Sequence, residues 1–260
     1  MIEHVHVCRT TEPVAPDMTY LRHMDELLDL RVGHLPVLAA SGEWRLRLMQ
    51  MTRDSGEWEY HAGRGYPIPE GRYIGLFHGQ IRASTIWMSD VPLEVWMMWD
   101  AIKVLRDPGC RRVLITGLGL GIIVKHALLQ PHIQRVDVVE LSDDVLRLIR
   151  PHYRDRRLHV HCGDALTIEL GPRRTWDLIY HDFWQSITAA NLVTMHTVME
   201  RYAGRAGRQL CWQQATCIRM AREEEEHWQF PPEGIAALER RLTALGGADG
   251  TLPPSGNSSV

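Results

Sequence analysis

Hydrophobic and polar positions follow two different periods along the chain from residue 111 onwards. Short apolar runs rich in Val, Ile and Leu predict buried strands, and the segments between them have the apolar spacing of amphipathic helices. The predicted strands are residues 113–116, 136–141, 158–162, 176–182 and 209–213, and the predicted helices between them are residues 122–130, 142–150 and 189–202. This alternation is typical of a mostly parallel sheet with helices on both faces, so we predict an α/β fold of the doubly wound, Rossmann-like type.

The first 89 residues have a different pattern. Residues 44–51 alternate between apolar and polar side chains, which predicts a half-buried strand. A turn signal at residues 54–56 follows, and residues 57–61 are the predicted returning strand of a hairpin. A further apolar run covers residues 73–78. We therefore predict a small β-rich module over residues 1–89.

The rest of the chain divides into three parts. Asp90 and Pro92 mark the start of a connecting helix in residues 90–110. The Rossmann-like domain, including two helices at its C-terminal end, is predicted to span residues 111–245. Residues 246–260 are rich in Gly, Pro and Ser, which predicts a disordered tail.

The composition narrows the class of protein. The 260 residues carry a net charge of -3, which does not favour a strongly basic nucleic-acid-binding surface. The longest apolar run, residues 113–124, is shorter than the roughly 20 residues of a membrane-spanning helix, and no secretory signal is visible. The five cysteines are odd in number and contain no CxxC pair, which favours reduced thiols in a cytoplasmic protein.

A glycine-rich turn joins the first strand of the predicted parallel sheet to its helix. Gly117, Gly119 and Gly121 let the backbone turn sharply and approach a ligand, and the following helix presents free N–H groups. Glu140 closes the next strand, 19 residues beyond Gly121, where doubly wound folds bind the ribose hydroxyls of a nucleotide-like ligand. The dinucleotide spacing G-x-G-x-x-G is not met, since Ile122 occupies the place of the third glycine. Glycines that only allow close packing of helix on sheet are the alternative.

A second polar marker, Gly163-Asp164-Ala165, follows the third strand, where a carboxylate is placed to accept from an adenine amino group. With this marker, residues 113–184 resemble the core of class I S-adenosylmethionine-dependent methyltransferases. In that family the glycine loop passes under the methionine moiety, the acid after the second strand holds the ribose, and the acid after the third strand meets the adenine. The resemblance therefore implies S-adenosylmethionine as the cofactor. The cofactor-binding residues that it implies are Gly117, Gly119, Gly121, Glu140, Asp164 and Ala165.

Within that superfamily, the order of parts over about residues 73–220 is similar to the spermidine synthase-like branch. A small β-rich module precedes the nucleotide-binding domain, and the segment at residues 138–141 falls in the family's order. That branch carries an acid inside the glycine loop, where this chain has Leu120, and a second acid after the fourth strand, where it has Gln185. The branch's tyrosine-containing segment is replaced at residues 94–98. Because an amine without an activating carboxylate stays protonated, these departures argue against polyamine synthesis.

The end of the fourth strand of the sheet is the predicted acceptor site, because ligands of doubly wound folds bind at the carboxyl edge. Asp182 is placed to orient an amine or a hydroxyl, and His181 is a candidate base with a pKa near neutrality. For His181 the alternative is a strand residue whose ring is satisfied by neighbouring backbone. Tyr180, Phe183 and Trp184 are the predicted acceptor-binding residues, and Trp184 either stacks on a flat acceptor or only walls the pocket.

The expected function is methyl transfer from S-adenosylmethionine to an unidentified small-molecule acceptor. Three alternatives stay open: aminopropyl transfer from the decarboxylated cofactor, a lyase or hydrolase that acts on the same sulfonium, and a non-catalytic cofactor-binding subunit. No metal site is expected, since His159 and His161 have no third ligand at metal spacing. The C-terminal stretch is short for the final antiparallel hairpin of a methyltransferase sheet, so the sheet is either truncated or completed by a second copy in a homodimer.

Overall fold

The computed structural model describes residues 15–55, 61–80, 85–171, 174–223 and 234–246. Within these ranges every helix is too short or too polar to pass through a bilayer. The strands are β1 Ala40–Ser41, β2 Trp44–Met51, β3 Gly71–His78, β4 Thr85–Ser89, β5 Arg112–Thr116, β6 Arg135–Glu140, β7 Leu158–Cys162, β8 Trp176–His181 and β9 Ala206–Cys211. The helices are α1 Met18–Arg22, α2 Met24–Asp29, α3 Pro92–Met97, α4 Trp99–Leu105, α5 Ile122–Leu129, α6 Asp143–Ile149, α7 Asn191–Arg201, α8 Gln214–Glu223 and α9 Gly234–Gly246.

The strands β5 to β9 form a parallel sheet in the order β7-β6-β5-β8-β9. Successive residues of β5 belong to different hydrophobic clusters, Val113 and Ile115 to one and Leu114 to the other, so both faces of the sheet are covered. From β5 the chain continues to β6 and β7 on one side of it, and then crosses to β8 and β9 on its other side. This reversal opens a crevice at the carboxyl ends of β5 and β8. The predicted α/β fold with a doubly wound parallel sheet is confirmed.

The strands β1 to β4 form an antiparallel sheet in chain order, as predicted for a small β-rich module. β2 pairs with β3 over its whole length, from Trp44 opposite His78 to Met51 opposite Gly71. β3 thus pairs with β2 where the sequence predicted a returning strand at residues 57–61, and all but the last residue of that predicted strand lie outside the described residues. β3 is eight residues long with a buried centre, so it offers a ladder that a five-residue segment cannot match.

The predicted connecting helix consists of two helices, α3 and α4, which are separated at Met98. Pro92 occupies the first turn of α3, where a missing N–H costs no helical hydrogen bond. A single hydrophobic cluster includes Leu76 of β3, Ile102 of α4 and Ile115 of β5. The antiparallel module therefore packs directly against one face of the parallel sheet, and the domain boundaries inferred from the sequence stay predictions.

The helices α7, α8 and α9 cover the other face of the parallel sheet around a second hydrophobic cluster. The end of α9 lies against the edge strand β9, where Gln209 Nε2 donates to the carbonyl of Leu245 at 3.3 Å. No strand follows β9 in the part of the chain that the structure describes. Residues 247–260, most of the predicted tail, lie outside the described residues, and Gly246 is the last residue of α9.

Candidate functional site

A cavity of about 630 Å³ lies at the carboxyl edge of the parallel sheet. One wall comes from the ends of β5, β6, β7 and β8, and the other comes from β2, β4 and α3 of the module. Most of the lining side chains are apolar. Small-molecule sites have volumes of roughly 300–1,000 Å³ and lie in doubly wound folds where the strand order reverses. The cavity therefore has the size and the position of a ligand site.

The glycine-rich turn forms part of the cavity wall. Gly117, Gly119 and Gly121 have positive φ angles of +97°, +48° and +76°, which side chains rarely adopt. Gly117 and Gly119 line the cavity. Gly121 lies outside the lining at the N-cap of α5, and a Cβ there would come within 2.6 Å of the Tyr153 ring, whose hydroxyl donates to the carbonyl of Leu120 at 2.8 Å. Close packing, the alternative raised from the sequence, therefore explains Gly121.

A methionine of the module contacts the glycine-rich turn. Met88 near the end of β4 lines the cavity, and its Sδ accepts the N–H of Leu120 at 3.1 Å. A Cβ at Gly119 would overlap this sulfur. The turn therefore needs a glycine partly to admit Met88, a contact that the sequence did not indicate because the two segments belong to different sheets.

The two predicted nucleotide-binding carboxylates lie on the cavity wall. Glu140 accepts the N–H of Leu118 through Oε2 and the N–H of Ser142 through Oε1, both at 2.8 Å. These bonds hold the carboxylate between the glycine-rich turn and the start of α6. Since each carboxylate oxygen has two lone pairs, both oxygens keep one for a ligand hydroxyl. Asp164 and Ala165 line the cavity directly after β7, and the ligand contacts of all three residues stay predictions.

Three of the five predicted acceptor-site residues line the cavity: Asp182, Phe183 and Trp184. The rings of Phe183 and Trp184 are stacked, with their centroids 4.2 Å apart. The side chain of Asp182 accepts no hydrogen bond from the described residues, although its backbone N–H donates to the carbonyl of Thr116 at 2.8 Å. The backbone of Asp182 is thus held by β5 while its carboxylate is left for a ligand.

His181 and Tyr180 lie behind the cavity wall. The His181 ring is fully buried, with Nδ1 2.9 Å from Thr116 Oγ1 and Nε2 3.1 Å from Gln209 Oε1. Burial lowers the pKa of His181 to about 4, and the hydrogen bond with Gln209 opposes this only in part. The proposed role of His181 as a base is therefore corrected, because its ring is used inside the sheet and does not line the cavity. Tyr180, predicted to bind the acceptor, has a buried hydroxyl without a partner among the described residues.

Glu94 is a further carboxylate of the cavity that the sequence analysis did not select. It lies in the first turn of α3, where its Oε1 accepts the N–H of Ser89 at 2.8 Å and the hydroxyl of Ser89 at 2.5 Å. Burial raises the pKa of Glu94 to about 7, although the bonds from Ser89 oppose the shift. Burial also raises the pKa of Asp182 to about 7, and the charge of Glu94 adds to that shift. The available signal was an acid inside the otherwise apolar run at residues 91–98.

The cavity lining is acidic. Its carboxyl groups come from α3 and from the ends of three strands of the parallel sheet, and among the described lining residues there is no lysine or arginine. A low-dielectric cavity with this lining attracts organic cations and repels anions such as a pyrophosphate. The four carboxylates are Glu94, Glu140, Asp164 and Asp182.

Replacing Glu94 by Gln is expected to stabilise the protein relative to wild type as pH rises. The folded-state pKa of about 7 lies above the ordinary 4.5, so the stabilisation from protonated Glu94 is complete below pH 4.5 and is lost as pH rises through 7. The lowered pKa values of His126 and His181 act in the opposite direction between about pH 4 and 6.5, so wild type and variant must be compared at each pH. Urea unfolding should show a relative gain on the order of 1–3 kcal/mol between pH 4.5 and 7.5. A difference that is constant with pH would contradict the assignment of Glu94 as a buried, raised carboxyl.

His159 and His161 of β7 were considered as metal ligands in the sequence analysis. Nowhere in the described ranges do three or more His, Cys, Asp or Glu side chains come together as ligands of a metal ion. His161 Nε2 instead lies 3.0 Å from Oδ1 of the buried Asp137.

Comparison with known proteins finds similarity to solved methyltransferase structures. CalS10 from Micromonospora echinaspora, an amino pentose methyltransferase solved with its cofactor SAM bound, is 23% identical, with a TM-score of 0.35 and coverage of 52% of this chain and 51% of that chain. DesVI from Streptomyces venezuelae is 19% identical, with a TM-score of 0.35 and coverage of 45% and 49%. A putative caffeoyl-CoA O-methyltransferase from Staphylococcus aureus is 12% identical, with a TM-score of 0.40 and coverage of 58% and 72%.

These similarities are remote. No protein-family model matches the chain, and no curated protein sequence matches it. The chain spans about half the length of the CalS10 and DesVI structures. Similarity at this level assigns neither a reaction nor a ligand to the chain, so its function has to be inferred from the residues of the cavity.

Proposed function

We propose that this protein is an S-adenosylmethionine-dependent methyltransferase that acts on a small-molecule acceptor. The observation that carries this proposal is the convergence on one cavity of Gly117, Glu140, Asp164 and Asp182, which follow or end β5, β6, β7 and β8. These positions come from the sequence pattern alone, and the chain order of the strands does not by itself make them neighbours. Their meeting at the point where the strand order reverses supports a nucleotide-like ligand.

The residues of the cavity fit S-adenosylmethionine. When bound, this cofactor supplies an electrophilic methyl group on a positively charged sulfur. Glu140 keeps lone pairs for the ribose hydroxyls, and the absence of side chains at Gly117 and Gly119 lets a ligand approach the backbone. Asp164 and Ala165 would hold the adenine end. The negative lining favours a sulfonium and an amino group over the phosphates of a dinucleotide.

On the acceptor side, Asp182 orients the reacting group and takes its proton, while Phe183 and Trp184 bind the rest of the molecule. Methyl transfer asks the protein mainly to align a nucleophile with the methyl group, and a base is needed only when the acceptor loses a proton. Asp182→Asn is therefore expected to leave cofactor affinity unchanged and to lower turnover. Equal turnover in that variant would move the chemistry to another residue.

Titration calorimetry tests the cofactor. We expect S-adenosylmethionine and S-adenosylhomocysteine to bind and NAD not to bind, because NAD would bring two phosphate charges against four carboxylates. Preferential binding of NAD would overturn the proposal. Release of methylthioadenosine or homoserine lactone from the cofactor alone would identify a lyase reaction instead of methyl transfer.

Glu140→Ala is expected to weaken S-adenosylmethionine binding by about 2–3 kcal/mol, or about 30- to 150-fold, because a charged hydrogen-bonding partner of the ribose is lost. Glu200→Ala is the matched control. It also removes a carboxylate, but the Glu200 side chain on α7 is 60% exposed and does not line the cavity. Glu140 also holds the glycine-rich turn by accepting through both oxygens, so Glu140→Gln, which keeps one acceptor oxygen and replaces the other with a donating amide group, is the milder second variant. An affinity that is unchanged in both Glu140 variants would refute the ribose contact.

Aminopropyl transfer, the activity of the spermidine synthase-like branch, is the second candidate. The sequence argued against it because Gln185 replaces an acid, but Glu94 brings a second carboxylate into the same cavity from α3. Tighter binding of decarboxylated S-adenosylmethionine than of S-adenosylmethionine would favour this reaction. The cytoplasmic location and the homodimer stay predictions.

A further inference from the structure

We propose that Glu94 and Asp182 form an ammonium-binding site and that the acceptor is an amine attached to an apolar body. The inference rests on the proposed transferase function and names the substrate class of the same cavity. It assigns a role to Glu94, which belongs to the module and not to the parallel sheet.

The first observation is that two acidic side chains lie close together in the cavity. Glu94 and Asp182 line it together, and they lie close enough for the charge of Glu94 to disfavour the charge of Asp182. Among the described lining residues there is no lysine or arginine to neutralise the two carboxylates. A buried pair of like charges is costly unless a cation joins it. A protonated amine is the small organic ligand that supplies this charge together with N–H donors.

The two carboxylates differ in their hydrogen bonds within the protein. Ser89 holds Oε1 of Glu94 with two bonds, so this carboxylate is a fixed acceptor. The carboxylate of Asp182 lines the cavity and accepts no hydrogen bond from the described residues. Buried polar groups are rarely left unpaired in proteins. The carboxylate of Asp182, which lines the cavity, is therefore a group whose hydrogen bonds a ligand completes.

Aromatic rings form much of the remaining wall. Phe183 and Trp184 are stacked on one side, and Trp44 and Trp87 meet edge to face with their centroids 5.1 Å apart on the module side. Aromatic faces bind both apolar groups and ammonium cations. A hydrophilic diamine would leave these faces without a partner, whereas an amine with an aromatic-sized apolar body would cover them.

The site also removes the proton that blocks the amine from reacting. One N–H bond of the ammonium breaks, the proton moves to a carboxylate oxygen of Asp182, and the electron pair stays on the nitrogen. The ionised form of Glu94 stabilises the cation before the transfer. Burial and the charge of Glu94 both favour the protonated form of Asp182, which helps this carboxylate to accept the proton.

Direct binding at about pH 7.5 in the absence of any cofactor tests the site. The probes are 2-phenylethylamine, its uncharged isostere 2-phenylethanol, and 1,4-diaminobutane. We expect wild type to bind 2-phenylethylamine at least about tenfold more tightly than either of the others. Glu94→Gln and Asp182→Asn should each remove most of that preference, and Glu200→Gln should keep it. Gln at position 94 still accepts from Ser89, so the variant is expected to fold, and thermal unfolding checks this.

Each outcome decides one part of the proposal. Equal binding of amine and alcohol overturns the ammonium site, and tighter binding of 1,4-diaminobutane overturns the apolar body. A preference that survives in Glu94→Gln overturns the role of Glu94. Cofactor binding without amine binding refutes this inference and leaves the methyltransferase proposal standing. Amine binding without cofactor binding refutes the methyltransferase proposal and leaves the ammonium site standing.

Discussion

Gly117→Ala is expected to destabilise the protein by about 3–5 kcal/mol and to abolish cofactor binding. Gly117 has a φ of +97°, and a Cβ there would overlap the backbone carbonyl oxygen of Asp182. A left-handed conformation costs an alanine roughly 1–2 kcal/mol, and the overlap adds to it because the obstacle is backbone. Asp182 cannot move away freely, since its N–H donates to the carbonyl of Thr116 in the central strand β5. The substitution therefore separates β5 from β8 where the cavity begins.

Gly204→Ala is the matched control for this effect. Gly204 also has a positive φ, +72°, but a Cβ there would meet no atom within 4 Å. It should lose only the conformational part, about 1–2 kcal/mol, and keep its affinity for S-adenosylmethionine. Urea unfolding of both variants measures the difference. Equal losses of stability would show that steric overlap with Asp182 does not govern position 117.

Asp137→Ala is expected to cost about 3–5 kcal/mol of unfolding free energy. Asp137 lies in the middle of β6 and is fully buried, where it accepts from Arg135 Nε at 2.7 Å, Trp176 Nε1 at 2.9 Å and His161 Nε2 at 3.0 Å. Alanine would leave the indole N–H and part of the guanidinium without partners inside the protein. The loss is large because the carboxylate joins three elements of the sheet.

Asp155→Ala is the control for an aspartate–arginine pair at a more exposed site, where Asp155 also accepts the backbone N–H of Arg157 at 2.8 Å. Asp155 and Arg157 have the same spacing as the Asp137 pair and the same 2.7 Å contact, but the aspartate side chain is 25% exposed instead of 0%. The expected loss is about 0–1 kcal/mol, because water replaces most of the interaction. Comparable losses in the two variants would mean that burial of the Asp137 network adds nothing.

The pH dependence of stability is a second test of the hydrogen bonds around Asp137. Burial alone would raise the pKa of Asp137, but hydrogen bonds from Arg135, Trp176 and His161 outweigh it and lower the pKa to about 2. A lowered folded-state pKa contributes stability that is present above about pH 4 and is lost as pH falls toward 2. Asp137→Ala should therefore remove part of the acid dependence of wild type in that window. An unchanged acid limb would count against the network.

The module has two expected effects on the site. Met88 contacts the glycine-rich turn through its sulfur, and Glu94 adds a carboxylate opposite the ends of the parallel strands. Both residues come from β4 and α3, which pack on the parallel sheet through a shared hydrophobic cluster. Half of the cavity wall therefore depends on how the two sheets dock.

Local pattern was sufficient for the parallel sheet and for much of its edge. Apolar runs determine which strands are buried, glycines mark the turn after β5, and Glu140 and Asp182 come at strand ends that can be located from the sequence. Because all strands of a parallel sheet have their carboxyl ends at one edge, the predicted parallel sheet was enough to predict that these residues share an edge, although not which of them are neighbours.

Tertiary structure decided which side chains reach the cavity. His181 and Asp182 are adjacent in sequence, yet the His181 ring is hydrogen-bonded to Thr116 and Gln209 inside the sheet, while Asp182 lines the cavity. The pairing of β2 with β3 and the placement of Glu94 beside Asp182 were equally hidden, since both depend on contacts between segments far apart in the chain. Periodicity encodes which face of an element is apolar, but the partner of that face is chosen only when the two sheets pack together.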